Sequence, residues 1–94
     1  MIYATAIKMR DKDKDDLLEI YQIFLDYGSS SENSKWYTRE AIHNWLNDSK
    51  DNEVKVNISP YPKLIPAVSP NGDKYVKSEP DQYKKDNLLR LPRY

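Results

Sequence analysis

Thr38 is the residue that most constrains what this chain can fold into. It stands directly before Arg39, Glu40, Ala41 and Ile42. A threonine there can accept a backbone amide hydrogen of the first helical turn. Tyr37 and Ile42 on either side of it have the spacing of a hydrophobic staple, and Glu40 suits the positive end of the helix dipole. Ala41, Ile42, Trp45 and Leu46 then make one apolar face, and the polar run from Asn47 to Asn52 ends it. The spacing predicts a helix over residues 39–47. No other stretch gives so clear a helix start.

The segments after this helix read as strands. Val54, Val56 and Ile58 alternate with Lys55 and Asn57, the pattern of a half-buried strand. Ser59, Pro60, Tyr61 and Pro62 interrupt it, because proline cannot donate to a ladder. Leu64–Val68 and the run from Lys74 to Lys77 flank Pro70, Asn71, Gly72 and Asp73. Asn-Gly tolerates the positive φ of tight turns, so a hairpin is expected. Before the helix, residues 2–9 are rich in strand-type residues. Residues 10–16 are all charged and read as an exposed turn. Asp11, Asp13 and Asp15 alternate as in a calcium loop, but the glycine at its sixth position is missing and Gln22 stands where the closing glutamate belongs. Metal binding is therefore not expected.

The run from Leu17 to Tyr27 fits two periods. As a helix, Leu17, Ile20, Tyr21, Phe24 and Leu25 share a face, and aspartates precede it as caps. As a strand, Leu18, Ile20, Gln22 and Phe24 lie on one side, with Tyr21, Ile23 and Leu25 on the other. Periodicity alone leans towards helix.

Composition narrows the function classes. A chain of 94 residues is expected to be one domain, residues 1–94. Its mean hydropathy of -0.91 is polar, but its 8 tyrosines, 2 tryptophans and 1 phenylalanine argue against disorder. The absence of cysteine excludes disulfides and thiolate zinc sites. No apolar run approaches the ~18 residues of a membrane span, and no charged-then-apolar leader opens the chain; the expected location is the cytoplasm. The net charge of +0 hides an asymmetry. Residues 1–53 hold 7 basic and 11 acidic side chains, whereas residues 54–94 hold 8 basic and 4 acidic. Mutual complementation within the fold is the plain reading; a basic C-terminal face for an acidic partner is the functional one.

Chemistry is sparse. His43 is the single histidine. It falls on the flank of the predicted helix face, has no second imidazole or thiolate to share a metal, and reads as a surface or boundary residue. Two glycines cannot build a phosphate-cradling loop, and no cofactor is expected. Asp81 and Asp86 pair carboxylates in an irregular tail, where such groups more often hold a loop than move protons. Tyrosines interleave with cations through the C-terminal half, including Lys84, Lys85, Arg90 and Arg93. That mixture suits single-stranded nucleic acid, although no recognition-module signature accompanies it.

The tail carries the most specific pattern: Tyr75, Val76, Lys77, Ser78, then Pro80 and Asp81, a spacer, and Asp86, Asn87, Leu88, Leu89, Leu91 and Pro92. Asp86 or Asn87 is expected to cap a short turn there, closed by Pro92. This tail resembles that of a small, mainly bacterial family known only as domain of unknown function 3892, with Tyr3–Ile7 and Thr38-Arg39-Glu40 as weaker matches. Lys77 and Ser78 replace that family's usual arginine and threonine, and a lysine would not reproduce a forked contact. The resemblance implies that residues 18–25 form a strand paired with residues 2–9. It also implies that the tail packs on the domain through Leu88, Leu89, Leu91 and Tyr94.

The expected fold is therefore α+β: a mostly antiparallel sheet in ββαββ order with one helix on a face. Its core should hold Ile42, Trp45, Leu46, Val54, Val56, Ile58, Val76 and Leu88. The expected function is a small non-catalytic interaction module that binds another protein as a regulator or inhibitor, with Tyr75, Lys77, Asp81, Asp86, Asn87, Arg90 and Arg93 as candidate contacts. Acidic residues 11–16 would then imitate a nucleic-acid backbone. Nucleic-acid binding through the basic half, with Lys84 and Lys85, is one alternative. A small enzyme using the tail carboxylates is another.

Overall fold

The computed structural model describes residues 1–29, 31–79 and 86–94. The fold is α+β. Strands β1 (Tyr3–Met9), β2 (Ile20–Asp26) and β3 (Lys35–Thr38) precede helix α1 (Arg39–Asp48); β4 (Lys55–Val56), β5 (Leu64–Val68) and β6 (Lys74–Ser78) follow it. The larger sheet has the order β3-β2-β1-β4, and β5 and β6 form a hairpin. Among the described residues all strand pairs are antiparallel except β1 with β4.

The chain order is thus βββαβββ rather than ββαββ. There is one additional strand on each side of the helix; the one before it, β3, has four residues and runs straight into the helix cap. Four residues are too few for alternation to register, and Tyr37 and Thr38 already served as staple and cap. In β4 only Lys55 and Val56 pair as a strand, although Val54 and Val56 are both fully buried as their alternation requires. On its other side β4 meets the returning chain: Val56 N donates to Pro62 O at 2.8 Å and Leu64 N to Val54 O at 2.8 Å. The hairpin is thereby tied to the larger sheet.

The run from Leu17 is a strand after a single 3-10 turn, Leu17–Glu19, capped by Asp16. Its antiparallel register places Ala4 opposite Leu25 and Ile7 opposite Ile23. The irregularity between Lys8 and Met9 skips Tyr21, which turns Ile20 inward and Tyr21 to solvent. A bulge of this kind shifts the two-residue period by one, which is why neither strict period fitted the run.

Thr38 caps α1 as its sequence predicts: its Oγ1 accepts from Ala41 N at 3.1 Å. Thr38→Ala should cost about 1 kcal/mol, and Thr38→Ser should recover most of it in urea unfolding. At the other end Asn52 Nδ2 donates to Trp45 O at 2.7 Å, which satisfies a carbonyl the helix itself leaves open.

The buried stripe of α1 differs from the expected one. It runs through Arg39, Ile42, His43 and Leu46, at i, i+3, i+4 and i+7. His43 is not a boundary residue. Its Nδ1 donates to Tyr75 O at 2.9 Å, and Nε2 lies 3.1 Å from Asn47 Nδ2, from which it accepts. Arg39 donates to Leu18 O. Both polar groups are buried because each meets a carbonyl far away in sequence. Of the expected core, Ile42, Leu46, Val54, Val56, Val76 and Leu88 are buried, whereas Trp45 and Ile58 pack at its margin.

Candidate functional site

The tail motif forms a polar hub below the end of β6. Ser78 N donates to Asp86 Oδ2 at 3.1 Å and Oδ1 at 3.3 Å, and the Ser78 hydroxyl donates to Oδ1 at 2.8 Å. Oδ1 also accepts from Leu88 N at 2.9 Å. That contact caps the 3-10 turn Asn87–Arg90, the short turn expected there. Ser78 Oγ in turn accepts from Asn87 N at 3.3 Å. Asn87 is 1% exposed, and its Oδ1 accepts from Arg90 Nη1 at 2.8 Å. Chemically this is a loop clamp: one carboxylate gathers the donors that a strand end and a turn would otherwise leave open.

The other candidates are dispersed. Tyr75 and Lys77 alternate along β6, half-buried, with Val76 and Ser78 facing the interior; the Tyr75 carbonyl serves His43. Arg93 reaches across to the acidic turn, donating to Lys12 O at 2.8 Å, to Leu89 O at 3.2 Å and to the Asp15 carboxylate. Asp81, Lys84 and Lys85 lie outside the described residues. The acidic turn also spends Asp16 on its own cap, on Leu18 N at 2.9 Å, and Asp11 on Asp13 N at 3.0 Å. Among the described residues no group of three His, Cys, Asp or Glu gathers as a metal site, and no helix is long and apolar enough to cross a membrane.

A different surface stands out: the sheet face turned away from α1. Register puts Ala6 beside Phe24, Phe24 beside Trp36, Lys8 beside Gln22 and Tyr3 beside Lys55, all opposite the buried Ile7, Ile23 and Leu25. Phe24 meets Trp36 edge-on at 5.4 Å between centroids, and Trp36 meets Tyr94 at 6.0 Å. Lys8 Nζ sits 4.6 Å from the centre of the Trp36 ring, a cation–π contact. Further along, Tyr3 meets Tyr61 edge-on at 6.3 Å. A cleft of about 470 Å³ lies among Thr5, Ala6, Phe24, Trp36 and Tyr94. Its small side chains, Thr5 and Ala6, leave the space beside the three rings.

Tyr94 reaches this cleft because the tail adds to β1. Ile7 N donates to Pro92 O at 2.9 Å, and Tyr94 N donates to Ile7 O at 3.0 Å. Leu88, Leu89 and Leu91 are buried as the resemblance implied, but Tyr94 is not: it is 64% exposed. Tyr61, 48% exposed, has φ 61°, a left-handed conformation that a bulky residue adopts at a cost of ~1–3 kcal/mol.

On the helix side, a smaller cleft of about 190 Å³ lies among Leu25, Tyr27, Tyr37, Ala41, Ile42 and Trp45. Partial burial, and then the hydrogen bond and proximity of Tyr37, push the Tyr27 phenol above its ordinary value.

Sequence reasoning missed the aromatic face. A signal was present in the strand reading of β2, where Phe24 falls opposite Ile23 and Leu25. A strand apolar on both sides needs a cover on both, and only one helix was available.

No curated protein and no solved structure matches the chain. The tail clamp, the capped helix and the first hairpin all fall within the span of one family model, described as Protein of unknown function (DUF3892), which matches residues 3–92; the chain belongs to that family.

Proposed function

We propose that this protein is a small, non-catalytic binding module that works in the cytoplasm through the outer face of its larger sheet. The observation that carries the reading is the row of rings on that face, Tyr61, Tyr3, Phe24, Trp36 and Tyr94, with Lys8 over Trp36. Aromatic residues contribute most where a surface meets a partner. The tail residues first considered for chemistry support a scaffold role instead, because Asp86 already accepts a hydroxyl and two backbone amides.

A tagged full-length chain, used to capture partners from host lysate with and without nuclease, tests this. The paired change Trp36→Ala and Tyr94→Ala should abolish whatever the native chain retains. The change Lys77→Ala on β6 should not. Retention unchanged by the paired change would overturn the reading.

A further inference from the structure

We infer that the ligand of this face is a single-stranded nucleic acid, one base entering the cleft between Phe24, Trp36 and Tyr94 while phosphates meet Lys8 and Lys55. The inference rests on the binding-face reading above and assigns its partner class.

Three observations point there. The first is the shape and chemistry of the cleft. Its volume of about 470 Å³ is lined by Thr5, Ala6 and three rings that touch edge-on, so a flat aromatic ring can lie in it against them. Stacking of bases on rings exposed by a four-stranded sheet is a general route to single-strand recognition.

The second is charge. Lys8 stands at the cleft, 4.6 Å from the Trp36 ring centre. Lys55 projects from β4 on the same face, its neighbours Val54 and Val56 being buried and its register partner being Tyr3. Two acids lie near them: Glu53, whose charge is met by Lys63 at 3.8 Å, and Asp26, the register partner of Tyr3, which accepts from Gly28 N at 2.8 Å and keeps its charge. The face therefore offers cations beside rings, although the chain as a whole has net charge +0. An apolar protein surface would gain nothing from the lysines; a polyanion with π-faces uses both.

The third is extent. The rings do not form one plug but follow β1, from the Trp36 cleft beside Ala6 and Lys8 to the Tyr3–Tyr61 pair. Five residues of strand cover about 17 Å, room for a short run of nucleotides. Tyr61 ends the row in a left-handed conformation, so a conformational cost is borne to keep a ring there.

The test uses the full chain and fluorescein-labelled 12-mers of dT, dA and rU, read by anisotropy from low to moderate salt. Trp45→Phe leaves Trp36 as the one tryptophan, so its quenching reports the cleft directly. The expected result is affinity that falls with salt. Lys8→Ala with Lys55→Ala should flatten the log–log slope by about 1.4, at roughly 0.7 per phosphate on a single strand. Tyr94→Ala and Trp36→Leu should each weaken binding about 10-fold, in line with one lost stacking contact. Tyr94 is largely exposed, so its variant keeps the test valid if Trp36→Leu fails to fold. Equal competition by heparin, with no effect of the ring variants, would show general polyanion attraction and overturn the inference. So would failure of all three oligomers to bind. If the lysate partner is then a protein that survives nuclease and is lost with Trp36→Ala and Tyr94→Ala, the binding face stands and only its ligand class falls. If that capture is also indifferent to the two rings, both readings fall.

Discussion

Asp86→Ala should remove about 3 kcal/mol of stability, read as a lower urea midpoint at unchanged slope. The carboxylate accepts from Ser78 N, the Ser78 hydroxyl and Leu88 N, and Ser78 is buried. Alanine removes the acceptor from all three donors at a site that is only part-buried, so water replaces it incompletely. Each buried unsatisfied group costs ~1–3 kcal/mol, and hydrogen bonds to a charged acceptor stand at the upper end of the range. Asp86→Asn keeps one acceptor oxygen but turns an amide towards Ser78 N, so about half the loss should remain. A midpoint like that of the native chain in both variants would show that the clamp contributes nothing.

Leu88→Ala should cost as much by a different route. Leu88 is fully buried in the same cluster as Ile7, Ile20, Ile23, Ile42 and Val56. Truncating a core leucine costs ~2–5 kcal/mol, the spread reflecting how far the cavity collapses. We expect about 3 kcal/mol, because the turn that carries Leu88 packs against β1 and β6 and the side chain is fully buried in the core. For a domain this small, total stability lies near the low end of ~5–15 kcal/mol, so either variant should be partly unfolded at 37 °C. Tyr94→Ala, a few residues on and largely exposed, should change stability by less than about 1 kcal/mol. A tail whose leucine could be cut without loss would be an appendage rather than part of the core.

What the sequence made legible was local. The Thr38 cap, the Asn71-Gly72 turn and the Asp86 cap depend on residues within three or four positions, and each formed where it was expected. Gly72 indeed has φ 88°, while Ser69 closes the loop by donating to Asp73 O at 2.9 Å. The strand nature of Ile20–Asp26 came from family likeness, since a bulge at Tyr21 blurs the period. What could not be read was pairing at a distance. His43 and Arg39 look misplaced on a helix until Tyr75 O and Leu18 O arrive beside them. The aromatic face depends on the tail crossing to β1, which sets Tyr94 beside Trp36, and nothing in either segment announces the other.

The join between Ile7 and residues 92–94 bears on how the protein is made. Lys12 and Arg93, which brace the same join, are 81 positions apart. At ~5–20 residues per second, the ribosome exposes β1 several seconds before the segment that completes its edge. Contacts of such long range form late and slowly, and until then the unpaired stretch of β1 beyond β4 offers open backbone to any neighbouring strand. Nascent chains paused before Leu88 are therefore the species that chaperones would need to shield, and a stall placed just upstream of it should yield aggregate rather than native protein.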